Sequence, residues 1–401
     1  MTTKVTTVAR RGRHRGPRLG RADRSALGTW FWEIDLVLLM LVTALISCGL
    51  IAVAAASPSA AVRYSGGNVH VAPLYYFWRQ LIWLAMGIPV MFAVSMLPKD
   101  VARRASITGA AIFTLLLALV PVIGVEANGA RRWIGAGGLQ FQPSEFLKPL
   151  FVVTIAWLLS LRAQDRTLPV FPLTGLITGC IAAILMKQPD FGQTIIFGAM
   201  WLALLMLSGV PMRYMAWLGA AGIGAVIAAY FFYPVATARI DAFLHGGGDT
   251  YQTDMAHATI TNGGLIGIGP GAGTMKFRLP EAHTDYIFSV IGEEFGILAC
   301  LAIALLYLFI VMRVFVKLLH EEDSFTLLAA AGLVTEFGLQ AVINMAVNTQ
   351  IAPSKGMTLP FISYGGSSMI ALSIGFGLLL AFTRRNPFLT RSPYIVKWNT
   401  R

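Results

Sequence analysis

The stretch Leu279-Pro-Glu-Ala-His-Thr-Asp285 runs directly into the apolar segment that begins Tyr286-Ile-Phe-Ser-Val-Ile291. Pro280 suits the first turn of a helix, where its missing N–H costs nothing. That start would carry Asp285 about one turn into a hydrophobic helix, with Glu281 four residues before it on the same face. Charge near lipid is expensive, about 2.5–3.5 kcal/mol for an Asp or Lys at a helix centre on insertion scales. A group of Glu281, His283, Thr284 and Asp285 at a membrane surface is therefore a candidate functional site.

The composition requires the membrane. Of 401 residues 56% are hydrophobic and 12% charged, and the mean hydropathy is +0.68. A soluble domain carries about 25% charged residues. The net charge of +12 is no nucleic-acid signature, because residues 1–24 alone hold eight Lys/Arg against one acid, Asp23. A basic tail just before a first span is the positive-inside signal. Cys48, Cys180 and Cys300 lie in apolar runs without metal-ligand spacing and read as small core residues.

Ten apolar segments follow, at about 33–56, 75–97, 104–124, 145–162, 170–187, 190–208, 212–234, 286–318, 325–351 and 361–383. Each reaches or approaches the roughly 20 residues that a bilayer needs. The reading is an all-α integral membrane protein of ten transmembrane helices. It divides into a basic cytoplasmic tail at 1–28, a membrane domain at 29–386 and a second cytoplasmic tail at 387–401. With both termini inside, the cytoplasmic segments hold 21 of the 31 Lys/Arg, which fixes the orientation. Three outer segments then stand out: 125–144, the long loop 235–285 between the seventh and eighth spans, and 352–360. Loops beyond about 12–15 residues are usually functional or disordered. The long loop holds apolar positions such as Met255, Ile260 and Leu265, so short interfacial helices are expected in it.

Each candidate carries two readings. An anionic Asp285 is suited to general-base work on a sugar hydroxyl, or it is a helix-start acid that merely complements the dipole. Glu281, His283 and Asp285 could contribute to a Mg²⁺ or Mn²⁺ site that keeps water and binds substrate phosphates; no tightly bound cofactor is expected. Glu145 and Lys148, three apart on one face of the fourth span, form a structural ion pair or hold substrate. Arg131 and Arg132 have the guanidinium fork that suits phosphate oxygens, or meet ordinary anionic headgroups. Lys187, Arg239, Lys276, Arg278 and Lys355 add positive charge to the same side. The glycine run Gly263-Gly-Leu-Ile-Gly-Ile-Gly-Pro-Gly-Ala-Gly273 lacks a preceding strand, so it reads as tight turns or close backbone approach to a substrate rather than as a nucleotide loop. Tyr364-Gly-Gly-Ser-Ser368 reads as small-residue packing.

Taken together, Asn128-Gly-Ala-Arg-Arg-Trp-Ile134, Gln142-Pro-Ser-Glu145, Gln188-Pro-Asp190, Leu279–Asp285 with Gly292-Glu-Glu-Phe-Gly296, and Pro360-Phe-Ile-Ser-Tyr-Gly-Gly-Ser-Ser368 resemble the SEDS family (shape, elongation, division and sporulation). The match runs in order over about residues 30–385. Ala282 and Lys355-Gly-Met-Thr-Leu-Pro-Phe361 resemble the cell-division branch rather than the elongation branch, and Gln340 and Asn344 fit the family pattern. Val347-Asn-Thr-Gln-Ile-Ala352 departs from the more apolar Gly-Leu-Leu that the family has before Pro353.

The resemblance implies a SEDS-type fold and a peptidoglycan glycosyltransferase. Such proteins polymerise lipid II, a disaccharide-pentapeptide on undecaprenyl pyrophosphate, at the outer face of the bacterial inner membrane during septum formation. The implied partners are a class B penicillin-binding protein transpeptidase and other division-complex membrane proteins, with no nucleic acid. The family's essential acid in the long loop falls on Asp285. Arg131, Arg132 and Lys148 are then expected on the pyrophosphate, with Glu145, Arg239, Glu281, His283 and Lys355 as further substrate contacts. A lipid II flippase, lined by Glu145, Lys148 and Glu336, and a division scaffold are the rival readings.

Overall fold

The computed structural model describes residues 26–66, 70–127, 130–136, 139–162, 165, 167–245 and 250–384. The basic tail up to residue 25, Asn128 and the tail from 385 onward lie outside these. The chain divides into two units, 1–34 with 384–401, and 35–383. The first contains α1 (Ala26–Glu33). The second holds everything that follows.

The second unit opens with α2 (Leu36–Tyr64), α3 (Tyr75–Ser95) and α4 (Lys99–Ile123), then a sheet of β1 (Val125–Ala127), β2 (Ala130–Ala136) and β3 (Leu139–Phe141). Next come α5 (Pro143–Leu161), α6 (Val170–Lys187), α7 (Phe191–Leu207) and α8 (Met212–Phe232). The long loop contributes α9 (Pro234–His245), α10 (Tyr251–Gly263) and a 3₁₀ turn at Met275–Phe277. The chain ends in α11 (Ile287–Leu318), α12 (Ser324–Asn348) and α13 (Ser367–Thr383). Eight of these helices are long and apolar enough to cross a bilayer, and α7 and α13 are shorter apolar helices of 17 residues each. Ten apolar helices among the described residues therefore lie on the ten expected segments. The long loop, where short helices are expected, contains α9 and α10.

Capping chemistry sets several helix starts. Asp35 accepts from the N–H groups of Val37 and Leu38, Asp190 from Gln193, and Asp323 from Thr326. Such caps satisfy donors that a helix start leaves open, each worth about 1 kcal/mol. Asp35 is also gripped by Arg313 and Lys317 of α11 at 3.1 and 3.2 Å. The centre of the bundle is α5 and α12, most of whose residues are buried, whereas α8 buries none. Its apolar circumference suits lipid contact on all sides. The basic connections near Lys99, Arg162, Arg213 and Lys317 lie at one end of the bundle, and the sheet, α9 and α10 at the other.

Three features depart from the sequence reading. Residues 125–127, 130–136 and 139–141 form an antiparallel sheet in the order β1-β2-β3, not a plain loop. Its alternation puts Arg131 and Arg132 on opposite faces. Cys180 is exposed on α6, so it is no core residue. The eighth apolar segment is not one straight span: α11 breaks at Gly296, where φ is 82° and ψ 174°. A Cβ at that position would sit 2.3 Å from the Leu265 carbonyl oxygen. The leading part, 287–295, is almost wholly buried in protein, and 297–318 is about 33 Å of helix, enough to cross a bilayer.

The break exposes backbone groups, and the glycine-rich loop satisfies them. Ile297 and Leu298 donate to the Gly264 and Leu265 carbonyls, and Ile268 and Gly269 donate to the Glu293 and Glu294 carbonyls. Gly263 and Gly267 allow this contact, since a Cβ on either would meet α11 backbone at 1.9 or 2.2 Å. The close approach that the glycines permit is thus to α11, not to a substrate. The Glu293 carboxylate accepts from the N–H groups of Thr274, Met275 and Lys276 at 2.7–3.0 Å and from Asn262 Nδ2 at 3.0 Å. Glu294 pairs with the buried Lys276 ammonium and accepts from Gly271 N–H. Lys276 is therefore neutralised inside the fold and is no substrate contact.

Removing one member of a buried ion pair leaves an uncompensated charge, at a cost of about 3–5 kcal/mol. Lys276→Met is expected to destabilise the purified protein by about that amount in thermal unfolding. Lys276→Met combined with Glu294→Gln should unfold at a higher temperature than Lys276→Met alone.

Candidate active site

Residues 279–286 form a succession of turns, not the first turn of a helix. Glu281 has φ 50°, a left-handed conformation that side chains larger than Gly rarely adopt. The apolar members Leu279, Ala282 and Tyr286 point inward, where they join Ala56, Ala256, Val290 and Val347 in one buried cluster. Glu281, Thr284 and Asp285 are left facing a cavity of about 570 Å³. Asp285 thus precedes α11 rather than standing one turn inside it.

The cavity lies at the bundle end that carries the sheet. Its walls include Arg132 and Trp133 from β2, Glu145 from the start of α5, Asp190 at the cap of α7, Arg239 from α9 and Lys355 from the segment before α13. Arg132 donates through Nε to the Gln188 carbonyl at 3.2 Å and through Nη2 to that of Pro189 at 2.5 Å. This grip holds the α6–α7 turn and leaves the other guanidinium N–H groups to a ligand. Burial, and then nearby Arg132, lower the pKa of Arg239, with Asp190 opposing. Burial pushes the Lys355 ammonium well below its usual value, again against Asp190, and Lys355 Nζ donates to the Gly192 carbonyl. Arg132, Arg239 and Lys355 therefore crowd one wall beside Asp190, with Glu145 also acting on Lys355, and burial disfavours the charged forms of Arg239 and Lys355, an arrangement that an anionic ligand would relieve.

Asp285 sits opposite in character. Burial pushes its carboxyl up to about 7, with the charges of Glu281 and then Glu145 adding to the rise. The residue is enclosed by protein yet still partly open to the cavity. Its carboxylate accepts no hydrogen bond from a protein donor among the described residues. Gly356 packs so closely that a Cβ there would lie 3.0 Å from Asp285 Oδ2. Glu281, by contrast, is committed: Tyr64 Oη donates to it at 2.8 Å and Thr284 Oγ1 at 2.7 Å.

The predicted residues separate into three groups. Arg132, Glu145, Arg239, Glu281, Asp285 and Lys355 come together at the cavity. Arg131 does not: it is half-exposed on the other face of β2, 3.6 Å from Glu126. His283 is buried away from the cavity among Tyr76, Tyr364 and Tyr64, with ring centroids at 4.2, 5.5 and 6.0 Å. Burial pushes its imidazole down to about 4, with Glu281 opposing, so it is neutral and packs as an aromatic ring. Lys148 lies within α5, 2.8 Å from Glu145 Oε2, beside a space of about 20 Å³ that Glu336 and Gln340 also line. That volume has room for about one water. Among the described residues, no three His, Cys, Asp or Glu side chains converge as metal ligands. Residues missed from sequence include Arg79 and Trp83 of α3, Asp190, and Ser367 and Ser368 at the start of α13. Arg79 falls inside an apolar segment, where an arginine was itself a signal. Tyr364-Gly-Gly-Ser-Ser368 proves to be cavity wall.

A polytopic α-helical membrane protein with a buried aspartate, Asp285, in one cavity with Arg132, Arg239 and Lys355 is the class that fold and site define. A model of the family described as cell cycle protein, covering FtsW, RodA and SpoVE, matches residues 35–387, and the chain belongs to that family. A relative in Caulobacter vibrioides, named "Probable peptidoglycan glycosyltransferase FtsW", is 37% identical over 92% of this chain and 93% of its own length. One of the same name in Coxiella burnetii is 33% identical over 88% of this chain and 98% of its own. Among solved structures, a peptidoglycan synthase complex described for its coordination of polymerization and crosslinking superposes with a TM-score of 0.70 at 28% identity. It covers 87% of this chain and 97% of the other. Thermus thermophilus RodA gives 0.64 at 28% identity, covering 87% and 96%.

The raised pKa of Asp285 has a thermodynamic sign. An unfolded Asp loses its proton near 4, while the folded carboxyl keeps it up to about 7. The folded state therefore binds the extra proton between these values, and the group lowers stability progressively as pH rises through that window. Asp285→Asn removes the penalty. The variant is expected to match wild type in thermal unfolding at pH 4 and to exceed it at pH 8.

Proposed function

We propose that this protein polymerises lipid II into glycan strands for the division septum, releasing undecaprenyl pyrophosphate. The observation that carries this reading is the cavity itself. One carboxylate tuned to about 7 faces a wall of Arg132, Arg239 and Lys355 at the end of a membrane bundle opposite its basic connections. By the positive-inside rule that end is extracytoplasmic, so the chain would cross the inner membrane ten times with both termini in the cytoplasm. Lipid-linked sugars on the outer leaflet would enter there.

In this mechanism the cationic wall holds the donor's pyrophosphate. Arginine forks and a lysine supply charge-assisted hydrogen bonds to its oxygens. The 4-hydroxyl oxygen of the acceptor GlcNAc attacks C1 of the donor MurNAc, and the bond from C1 to the pyrophosphate oxygen breaks. Asp285 takes the hydroxyl proton, and the pyrophosphate leaves with the bonding electrons, its growing charge met by the same cations. A base with a pKa near the working pH combines a useful ionised fraction with useful basicity. A Mg²⁺ or Mn²⁺ arriving on the pyrophosphate would meet Glu281 and Asp285. A class B penicillin-binding protein is the partner that this reading calls for, and the likeness to a synthase complex supports it. Transport is disfavoured because Lys148 and Glu336, inward of Glu145 at the cavity edge, line space for about one water, not a path.

The test uses purified protein with its transpeptidase partner, fluorescent lipid II and a gel readout of glycan strands. Wild type should make polymer, with kcat rising through an acid limb near pH 7. Asp285→Asn should lose at least 100-fold, within the usual range of about 10²–10⁴ for a general base. Equal polymer from both would remove Asp285 as base, and none from wild type in an intact complex would refute the polymerase reading. In the same assay Arg132→Ala is expected to raise KM for lipid II about tenfold, whereas Arg131→Ala should stay near wild type, as an exposed ion pair contributes little.

A further inference from the structure

Asp285 is the residue that would cap helix α11 if the helix began one residue earlier, since the present cap is Tyr286. In an uninterrupted helix the Ser289 N–H would donate to the Asp285 carbonyl. Instead the Ser289 N–H is shared between the Tyr286 carbonyl at 3.1 Å and the side-chain amide of Asn348, which comes from the last turn of α12 and bridges Ser289 to Asp285. Asn348 Oδ1 accepts from Ser289 N at 3.1 Å and from Ser289 Oγ at 2.7 Å. Asn348 Nδ2 donates to the Asp285 carbonyl at 3.0 Å. The orientation of the amide is forced, because the Ser289 N–H can only donate and the Asp285 carbonyl can only accept.

Asn344, one turn earlier on α12, completes the clamp. Its Nδ2 donates to the Asp285 carbonyl at 2.8 Å and to the Met357 carbonyl at 2.6 Å. Its own carbonyl takes a further bond from Asn348 Nδ2 at 2.9 Å. Asn344 is 2% and Asn348 0% exposed, so neither amide has water as an alternative partner. Two buried amides therefore tie α12 to both segments that flank the reactive carboxylate, since Met357 follows Gly356, which packs against Asp285 Oδ2. Asn348 also lies in the Val347–Ala352 segment, where the chain departs from the more apolar family pattern.

We propose that Asn348, with Asn344, is a positioning residue that holds the Asp285 peptide out of helix α11 and so keeps its carboxylate in the cavity. Without the inserted amide, Ser289 N–H shifts from the Tyr286 carbonyl to that of Asp285, α11 gains one residue at its start with Asp285 as its cap, and the carboxylate turns with it. The role rests on the reading of Asp285 as base, but the displacement of the carboxylate does not.

The test compares wild type, Asn348→Ala, Asn348→Asp and Asn344→Ala. Asn348→Asp is nearly isosteric and still accepts from Ser289, but it replaces the donor to the Asp285 carbonyl by a carboxylate oxygen that repels it, so here the peptide is displaced by loss of its donor rather than by extension of α11. Polymerisation should show kcat lower by about 10–100-fold at a KM within about threefold of wild type, the signature of a misplaced catalytic group with substrate binding intact. Wild-type kcat in the Asn348 variants, or a raised KM at unchanged kcat, would overturn the proposal. Labelling of Asp285 by a water-soluble carbodiimide, located by mass spectrometry, reads the same displacement without turnover. It should fall severalfold in the Asn348 variants, and unchanged labelling would overturn the proposal even where wild type failed to polymerise. Should Asn348→Ala not fold, Asn348→Asp decides alone.

Discussion

The structure depends on how it satisfies backbone groups freed where α11 breaks. A helix crossing lipid has no water to take up an open N–H or C=O, and each one left open costs several kcal/mol. Gly296 breaks the helix inside protein, and the 264–277 loop comes back to meet it strand-like on one side and through two glutamates on the other. The Glu293 carboxylate gathers three consecutive backbone N–H groups and an asparagine, and Glu294 takes the one buried lysine of the loop. With that junction made, residues 279–286 have a fixed start and a fixed end, and the cavity acquires its floor.

Charge is distributed unevenly around that floor. Glu281 is held by Tyr64 and Thr284, and Glu145 by Lys148 and Gln193, so both are stabilised as acceptors. Asp285 receives no such help on its carboxylate, although its peptide carbonyl receives two amide donors. The molecule thus fixes the backbone of this residue while leaving its side chain destabilised as an anion. That combination suits a group that must take a proton at one place. It also has a cost in stability at high pH, the usual opposition between a reactive site and a stable one.

The inner group of Glu145, Lys148, Glu336 and Gln340 is best understood as support for this arrangement. Glu145 faces the large cavity and is tied through Lys148 to the packed centre of α5 and α12. A buried charge pair adds little net stability but places its members narrowly. Here it sets a carboxylate at the cavity edge, where it contributes to the raised pKa of Asp285.

Much of this was legible in the residues. Runs of about 20 apolar side chains must be helices in lipid, because only there are all backbone bonds internal, so the ten apolar segments and their helices agree. The polar cluster around Asp285, and the pairing of Glu145 with Lys148, followed from the cost of charge near lipid and from helical spacing. Period-based reasoning failed where the chain leaves regular structure. It treated Pro280–Asp285 as helix, Arg131 and Arg132 as equivalent, and Lys276 as available to substrate. Composition and periodicity determined the class of protein and which residues were too costly to be idle. Only the tertiary structure decided which of them share a cavity and which are consumed internally. That depends on contacts such as those of Asn348 with Asp285 and of Glu294 with Lys276, whose members lie far apart in the chain and whose pairing no local pattern records.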